Sequence, residues 1–277
     1  MKETSASVDL EKWLNLGEKY TNPPGVSLAL LSQTPDDQIN IDQRDVAITS
    51  AIQCYSPGRA VMKPRKSEKE ITIGRSTLES GHLTTRQHAH YTWRLSGVTR
   101  ETIHTLLHSF PHYNTDQQSQ RYVEANPDSV LKRNDLNPRQ TDLHNKGMNH
   151  AFEGYKEFLE LLRPELRKRI TKTLPKKWVE NNDEIESKVT KYAQEIARYF
   201  LPIGQTSTLF YTLDVMTLMR MFSVGNMPHI SDEGRYLLAQ MVKSVAIHDE
   251  SLIDDLFVPQ DYEPKDYSWV ENRNRNS

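Results

Sequence analysis

The spacing of apolar residues changes along the chain from a period of two to a period near four. Val26 to Leu31 is a short apolar run with the length of a buried strand. Tyr91, Trp93 and Leu95 alternate with Thr92 and Arg94, the pattern of a half-buried strand. Between them, Asp45 to Cys54 sets Val46, Ile48 and Ile52 at helical intervals, and the Pro- and Lys-rich residues 58–70 read as a surface loop. Thr99 is placed to cap a helix carrying Ile103, Leu106 and Leu107, ended by Pro111. The second half is helical. Phe152, Tyr155, Phe158, Leu159 and Leu162 form one stripe, and Ile185, Val189, Tyr192, Ile196 and Tyr199 another. Leu209 to Phe222, apolar apart from Thr212, Asp214, Thr217 and Arg220, predicts a central buried helix, and Tyr236 to Val245 one more amphipathic helix. The class is α+β. Residues 1–25 read as a leader with a helix over Val8 to Tyr20, broken at Asn22-Pro23-Pro24-Gly25. Residues 26–257 form one domain, and 258–277 a partly disordered tail.

At 277 residues the chain is about as long as one core supports. Its 35 Lys and Arg against 37 Asp and Glu leave a net charge of −2, which singles out neither nucleic acid nor acidic lipid as a partner. Cys54 is the only cysteine, so no internal disulfide forms. There is no apolar run of membrane-spanning length and no apolar signal core near Met1. A cytoplasmic protein that neither enters a membrane nor binds nucleic acid is expected.

One stretch stands apart, Gln117-Gln118-Ser119-Gln120-Arg121-Tyr122. It has little to bury and many hydrogen-bonding groups, so it faces water, a partner or a ligand. Arg121 adds a planar fork suited to phosphate or to a uracil-like edge. A polar turn is the alternative reading.

The segments VSLALLSQTPDD, VAITSAIQCYS, GHLTTRQHAHYTWRLSGVTR, DQQSQRYV and ARYFLP follow one another between Val26 and Pro202. In that order and spacing the chain resembles the flavin-dependent thymidylate synthases, the ThyX family, over Val26 to Ile247. The resemblance implies a small antiparallel sheet packed with a helical layer, long helices in the C-terminal half, and a homo-oligomer, most plausibly a tetramer, with sites built between subunits. It implies FAD as cofactor, with NADPH and methylenetetrahydrofolate as co-substrates, for reductive C5-methylation of a uracil nucleotide of the dUMP-to-dTMP type. On the same basis Gln117, Ser119, Gln120, Arg121 and Arg198 would hold the nucleotide. His82, Thr84, Gln87 and His88 would line the flavin, with Asp116 and Asp214 nearby. No protein nucleophile is implied.

The sequence also departs from the family's pattern. The Arg-His-Arg triplet falls on Ser109-Phe110-Pro111, or on His108-Ser109-Phe110 with one inserted residue. The family's Asn and Arg near flavin become Asp214 and Met216, and its late arginine becomes Gly225. Each lost charge-assisted contact is worth about 1.5–3 kcal/mol. Arg220, one turn past Met216, is a possible substitute, and restoring an arginine at Gly225 is expected to raise turnover. A second reading is a degenerate paralogue that binds a pyrimidine nucleotide but acts on another substrate or serves as a non-catalytic partner subunit.

Six of the ten histidines lie between His82 and His112. His88 and His90, or His104 and His108, are spaced to bind a transition metal, but no HExxH motif or cysteine pair supports one, so no metal is assigned. The basic residues Arg163, Arg167, Lys168, Arg169, Lys172, Lys176 and Lys177 alternate with Leu166, Ile170 and Leu174, which makes them the solvated face of a helix rather than a nucleic-acid patch.

Overall fold

The computed structural model describes residues 5–30, 43–58, 60–64, 67–110, 113–173, 182–247 and 256. Its centre is a four-stranded antiparallel sheet. The strands are β1 (Gly25–Leu30), β2 (His90–Thr99), β3 (Tyr113–Gln117) and β4 (Thr206–Asp214), in the order β1-β2-β4-β3. β2 and β4 pair from His90 opposite Asp214 to Thr99 opposite Thr206. Their register slips between Leu95 and Val98, where Gly97 sits at a φ of 70°, a left-handed backbone that glycine adopts without strain.

Alternation sorts the sheet into two faces. Tyr91, Trp93 and Leu95 on β2, and Leu209, Tyr211 and Leu213 on β4, are buried in one core. The buried polar tips find partners: Tyr211 Oη donates to the Leu107 carbonyl at 2.8 Å, and Trp93 Nε1 to Ser244 Oγ at 2.8 Å. The opposite face carries Arg94, Asn114, Asp116 and Phe210, and Phe210 is 49% exposed.

The helices are α1 (Ser5–Leu14), α2 (Gln43–Tyr55), α3 (Glu68–Glu79), the short α4 (Arg100–Thr102), α5 (Pro138–Thr173), α6 (Asn182–Ala197), α7 (Val215–Ser223) and α8 (Asp232–Ala246). Thr99 caps α4 as the sequence predicts, its hydroxyl accepting from Thr102 N at 3.1 Å. A π-helical turn over Ile103–Leu107 follows. The single helix expected over Leu209 to Phe222 is instead strand and then helix. β4 ends at Asp214, whose carboxylate accepts from Thr217 N at 2.8 Å and from Thr217 Oγ1 at 2.9 Å, starting α7. A run that is apolar on every side carries no period, so here only the cap marks the boundary.

α5 begins at a reciprocal cap. Asn137 Oδ1 accepts from Gln140 N and Gln140 Oε1 accepts from Asn137 N, each at 3.0 Å, with Pro138 at the first helical position. With α6 and residues 125–130 it encloses a second, smaller core around Phe152, Tyr155 and Leu159. The buried row on α6 is Ile185, Val189, Ala193 and Ala197. Tyr192, Ile196 and Tyr199, expected on that face, are exposed, because small alanines let the helix approach α5 closely. The basic face of α5 is solvated and partly paired: Arg163 with Glu160 at 2.5 Å, Arg169 with Glu165 at 2.9 Å, and Arg167 with Glu186. Lys176 and Lys177, like the tail 258–277, lie outside the described residues.

The N-terminal segment is not set apart from the core as a leader. Leu10 and Trp13 are buried against α7 and α8, with the Trp13 ring tilted at 45° to Phe222 and 4.6 Å from it. Residues 19–22 then strap the loop before α5. Thr21 N donates to the Lys132 carbonyl at 2.9 Å, and Asn22 accepts from Lys132 N at 2.9 Å. Trp13 also closes the space beside Gly225, where a Cβ would run into the indole. The arginine expected to restore function at Gly225 therefore has no room.

Two outcomes follow from this packing. Gly225→Ala should destabilise by about 1–3 kcal/mol through overpacking, and Trp13→Ala by about 3–5 kcal/mol through cavity formation. In denaturant unfolding, the double variant should cost clearly less than the sum of the two, because Trp13→Ala removes the clash.

The second concerns Glu233, buried at the start of α8, which accepts from Thr99 N at 2.8 Å, Thr99 Oγ1 at 2.5 Å and Thr102 Oγ1 at 2.8 Å. Burial raises its pKa above the ordinary carboxylate value, against the lowering effect of those donors. A folded-state pKa above the unfolded one gives stability that is present at low pH and lost as pH rises through the folded value. The stability advantage of wild type over Glu233→Gln should shrink as pH rises above the ordinary carboxylate range. A gap that widens with pH would show that the donors outweigh desolvation.

Candidate functional site

The polar run follows directly from the end of β3. Gln118 N still donates to the Thr208 carbonyl at 2.9 Å, after which the chain turns, with Tyr122 N and Val123 N donating to the Ser119 carbonyl at 3.2 and 3.1 Å. Ser119 Oγ accepts from Arg121 N at 3.2 Å, which fixes the turn and leaves its O–H able to donate. Gln120 Nε2 reaches Gln205 Oε1 at 2.5 Å, and buried Gln205 lies just before β4. Arg100 Nη2 donates to the Gln118 carbonyl at 2.9 Å, while Arg100 N donates to the Gln205 carbonyl at 2.9 Å. Between these groups opens a cleft of about 290 Å³, continuous with solvent and lined by Arg100, Gln118, Ser119, Gln120, Asn126 and Gln205 among others.

Positive charge surrounds it. Arg121 reaches Glu195 of α6 at 3.7 Å and lies 5.7 Å from the centre of the Tyr122 ring, with Lys191 on that ring at 4.8 Å. The hydrogen bond and charge of Lys191 hold the Tyr122 phenol below its usual range. Arg198, in the short helical turn after α6, is close enough to Arg100 to act on its charge; burial first, and Arg198 second, lower the Arg100 pKa.

Of the residues expected to hold a nucleotide, the structure places Ser119 and Gln120 on the cleft lining, while Arg121 pairs with Glu195 and Arg198 lies in the turn after α6. Gln117 stands apart on the inner face of β3, its Nε2 buried without a partner. Arg100 and Gln205 are members that sequence reasoning missed. Arg100 did leave a signal, since a cation in the first turn of a helix opposes the helix dipole and calls for another reason to be there. Gln205 left none, because its place depends on β4 pairing with β2.

The residues expected around flavin lie elsewhere. His82, Thr84, Gln87 and His88 belong to the turn before β2, where His82 N donates to the Thr77 carbonyl at 2.8 Å and its ring meets Tyr55 edge-on at 6.3 Å. Asp214, opposite His90, is buried and holds the α7 cap, while Asp116 is exposed on the open face of the sheet. The ten residues of β2 separate this end from the cleft by roughly 30 Å. The turn carrying His82 to His88 and the cleft do not meet within one chain, whereas Asp116 stands opposite Phe210, two residues before Gln118 of the cleft.

The departures from the family pattern also have places. His108 stacks on Tyr113 at 5.4 Å, and burial, then His104, lower its pKa. Met216 is a core residue and Arg220 is solvent-exposed, so Arg220 does not follow Met216 into the interior as a substitute cation. Among the described residues no three His, Cys, Asp or Glu side chains cluster as metal ligands, and no helix is long and apolar enough to cross a membrane.

Comparison with known proteins agrees with this architecture. The family model described as "Thymidylate synthase complementing protein" matches residues 30–248. A flavin-dependent thymidylate synthase of Clostridium tetani is 27% identical over 224 residues, 80% of this chain and 82% of that protein. One from Geobacter sulfurreducens is 31% identical over 100 residues, 35% of this chain and 40% of that protein. Among solved structures, the UMP/dUMP methylase PolB from Streptomyces cacaoi, bound with 5-Br dUMP, superposes with a TM-score of 0.59 at 16% identity, covering 84% of this chain and 94% of that one. ThyX from Helicobacter pylori, with FAD and dUMP, gives a TM-score of 0.50 at 14% identity over 84% of this chain and 98% of that one. With its four-stranded sheet, its helical layer and a family match over most of its length, the chain belongs to the flavin-dependent thymidylate synthase (ThyX) family.

Proposed function

We propose that this protein binds a uracil nucleotide in the cleft beyond β3 and β4 and takes part in its FAD-dependent C5-methylation, with methylenetetrahydrofolate and NADPH as co-substrates. The observation that carries this reading is the convergence of Ser119, Gln120, Gln205 and Arg100 on one solvent-open cleft, with Arg121 next in the chain after Gln120. Amides and hydroxyls offer donors and acceptors to a pyrimidine edge, and guanidinium groups offer charge to a phosphate. Relatives named for flavin-dependent thymidylate synthesis, and solved neighbours described with dUMP or its bromo analogue, support the same chemistry.

A flavin finds a suitable donor set at the other end of the sheet. His82, Thr84, Gln87 and His88 supply hydrogen-bonding groups, with Asp214 as the nearby carboxylate and Asp116 farther along the open face of the sheet. Beside them Gln43, which accepts from His90 N at 2.9 Å, keeps a buried Nε2 with no partner. Bound there, FAD would supply hydride transfer. The chain's own part is to bind and orient the nucleotide and to keep charge close to it.

Because the turn of His82 to His88 and the cleft lie at opposite ends of the sheet, a complete site needs a second copy of the chain. The open sheet face with Phe210, and the exposed Tyr192, Ile196, Tyr199 and Phe200, offer apolar surface for such contacts. A homotetramer in the cytoplasm is the assembly proposed. Trp13 beside Gly225 gives the second reading, a nucleotide-binding paralogue with altered chemistry, its specific support. The place of a family cation is filled there by an indole, and a preorganised group opposite developing charge is commonly worth about 3–4 kcal/mol.

Purified protein should carry the visible absorption of bound flavin, and dTMP formation from dUMP should be weak. A colourless protein that binds dUMP but makes no dTMP after loading with FAD would select the paralogue reading. Calorimetry should show dUMP binding weakened at least tenfold by Arg121→Ala and by Arg198→Ala; unchanged affinity in both would remove the cleft from consideration. Light scattering should give a tetramer at micromolar concentration, and Phe210→Asp should shift it toward smaller species. A wild-type monomer would count against a site shared between subunits.

A further inference from the structure

The family match starts at residue 30, yet the residues before it are fixed to the molecule by more than apolar burial. Their partner is the connection between β3 and α5. Residues 118–137 make this link without a helix or a strand, and structureless links beyond about 12–15 residues are uncommon inside a compact domain. Most of the cleft lining belongs to it, from Gln118 to Asn126 and Ser129. Its inner edge is tied to the residues before β4. Thr206 N donates to the Ser129 carbonyl at 2.8 Å and Leu131 N to the Gly204 carbonyl at 3.3 Å, with Val130 bridged to Gln205.

The outer edge is tied to the N-terminal segment. In an extended chain successive peptide groups point to opposite sides, so the Val130 carbonyl and Lys132 N face away from residues 204–206. One side chain meets both. Asn22 Nδ2 donates to the Val130 carbonyl at 3.2 Å, and Asn22 Oδ1 accepts from Lys132 N at 2.9 Å. A carboxamide presents the same donor and acceptor pair as the backbone of a neighbouring strand, and these two partners fix which way it faces. On either side, Thr21 N donates to the Lys132 carbonyl at 2.9 Å and Asn134 N to the Lys19 carbonyl at 2.7 Å. Lys19 pairs with Asp232 at 2.6 Å and Tyr20 is buried, so the segment that carries Asn22 is itself anchored. Asn22 is exposed, and its contribution therefore lies in the two hydrogen bonds and not in filling a core.

We propose that Asn22 is a positioning residue for the cleft. Its carboxamide completes a ribbon of residues 20–22, 130–134 and 204–206, which fixes Asn126 and Ser129 on the cleft shared with Gln205. A polar wall that is already in place costs less to bind against than one that a ligand must order. Affinity at the cleft thus depends on a segment that precedes the family match. The gain in affinity rests on the uracil-nucleotide reading, whereas the bracing of the loop does not.

The test pairs amide hydrogen exchange with calorimetry of dUMP binding on the full-length protein. In Asn22→Ala, exchange at Ser129, Leu131 and Thr206 should quicken about tenfold, the ratio expected when one or two hydrogen bonds are lost from a local opening. Amides of the β2–β4 ladder should keep their protection and the melting temperature should stay near wild type, while dUMP binds about tenfold more weakly. Should Asn22→Ala melt far below wild type, Asn22→Asp is the second variant. It keeps the acceptor for Lys132 N, loses the donor to the Val130 carbonyl and should show the same local quickening and weaker binding. Faster exchange with wild-type dUMP affinity would overturn the positioning role and leave the nucleotide reading standing, and so would unchanged exchange at all three amides. A wild type that binds no dUMP removes the nucleotide reading, and exchange alone then decides the brace. Local quickening in Asn22→Ala upholds it, and unchanged exchange overturns it as well.

Discussion

The pairing of β2 with β4 is the constraint from which the rest of the molecule follows. Tyr91, Trp93, Leu95, Leu209, Tyr211 and Leu213 come from these two strands and form the floor on which α1, α7 and α8 pack. β1 and β3 each need one of these strands as a partner, and their own edges are short. The same register sets Thr99 opposite Thr206, so Arg100 and Gln205 leave the sheet side by side and form one wall of the cleft. At the far end it sets His90 opposite Asp214, beside the turn that carries His82 to His88. One ladder of hydrogen bonds thereby fixes both the polar cleft and its distance from the turn of His82 to His88. That distance is the physical reason to look for a second copy of the chain.

Around this ladder, polar groups do the local fixing. Asp214 ends a strand and begins a helix with one carboxylate, and Glu233 draws the start of α4 against α8. Both are buried acids, and both engage backbone N–H groups and threonine hydroxyls in place of water. Asp214 was expected near flavin, and its carboxylate caps α7. The cap and a flavin contact are compatible only through atoms that Thr217 leaves open.

The N-terminal segment links the core to the cleft. Trp13 fills the space beside Gly225, and the next residues pair with 130–134, part of the loop whose Asn126 and Ser129 line the cleft. An arginine at Gly225 and an indole at Trp13 exclude each other, so the two features of the sequence read as one adaptation. The indole packs where a side chain at residue 225 would stand, and Arg100 is the cation on the cleft lining.

The sequence by itself determined the strands with strict alternation, the capped start at Thr99, the helices with a clear apolar stripe, and the family. Each of these is encoded locally, in period, cap chemistry or motif order. It also marked Ser119, Gln120 and Arg121, because a polar run without burial value needs another explanation, and Arg198 through the family motif alone. Tertiary structure alone decided the strand-to-helix switch at Asp214, since an apolar run on all sides has no period to read. It decided which face of α6 is buried, since Ala193 and Ala197 are selected by how closely α5 approaches and not by hydrophobicity. It placed Arg100 and Gln205 in the cleft through strand register, and Trp13 beside Gly225 through the docking of a segment more than two hundred residues away in sequence. Contacts between distant residues depend on register and shape, and neither is written in any local window of the chain.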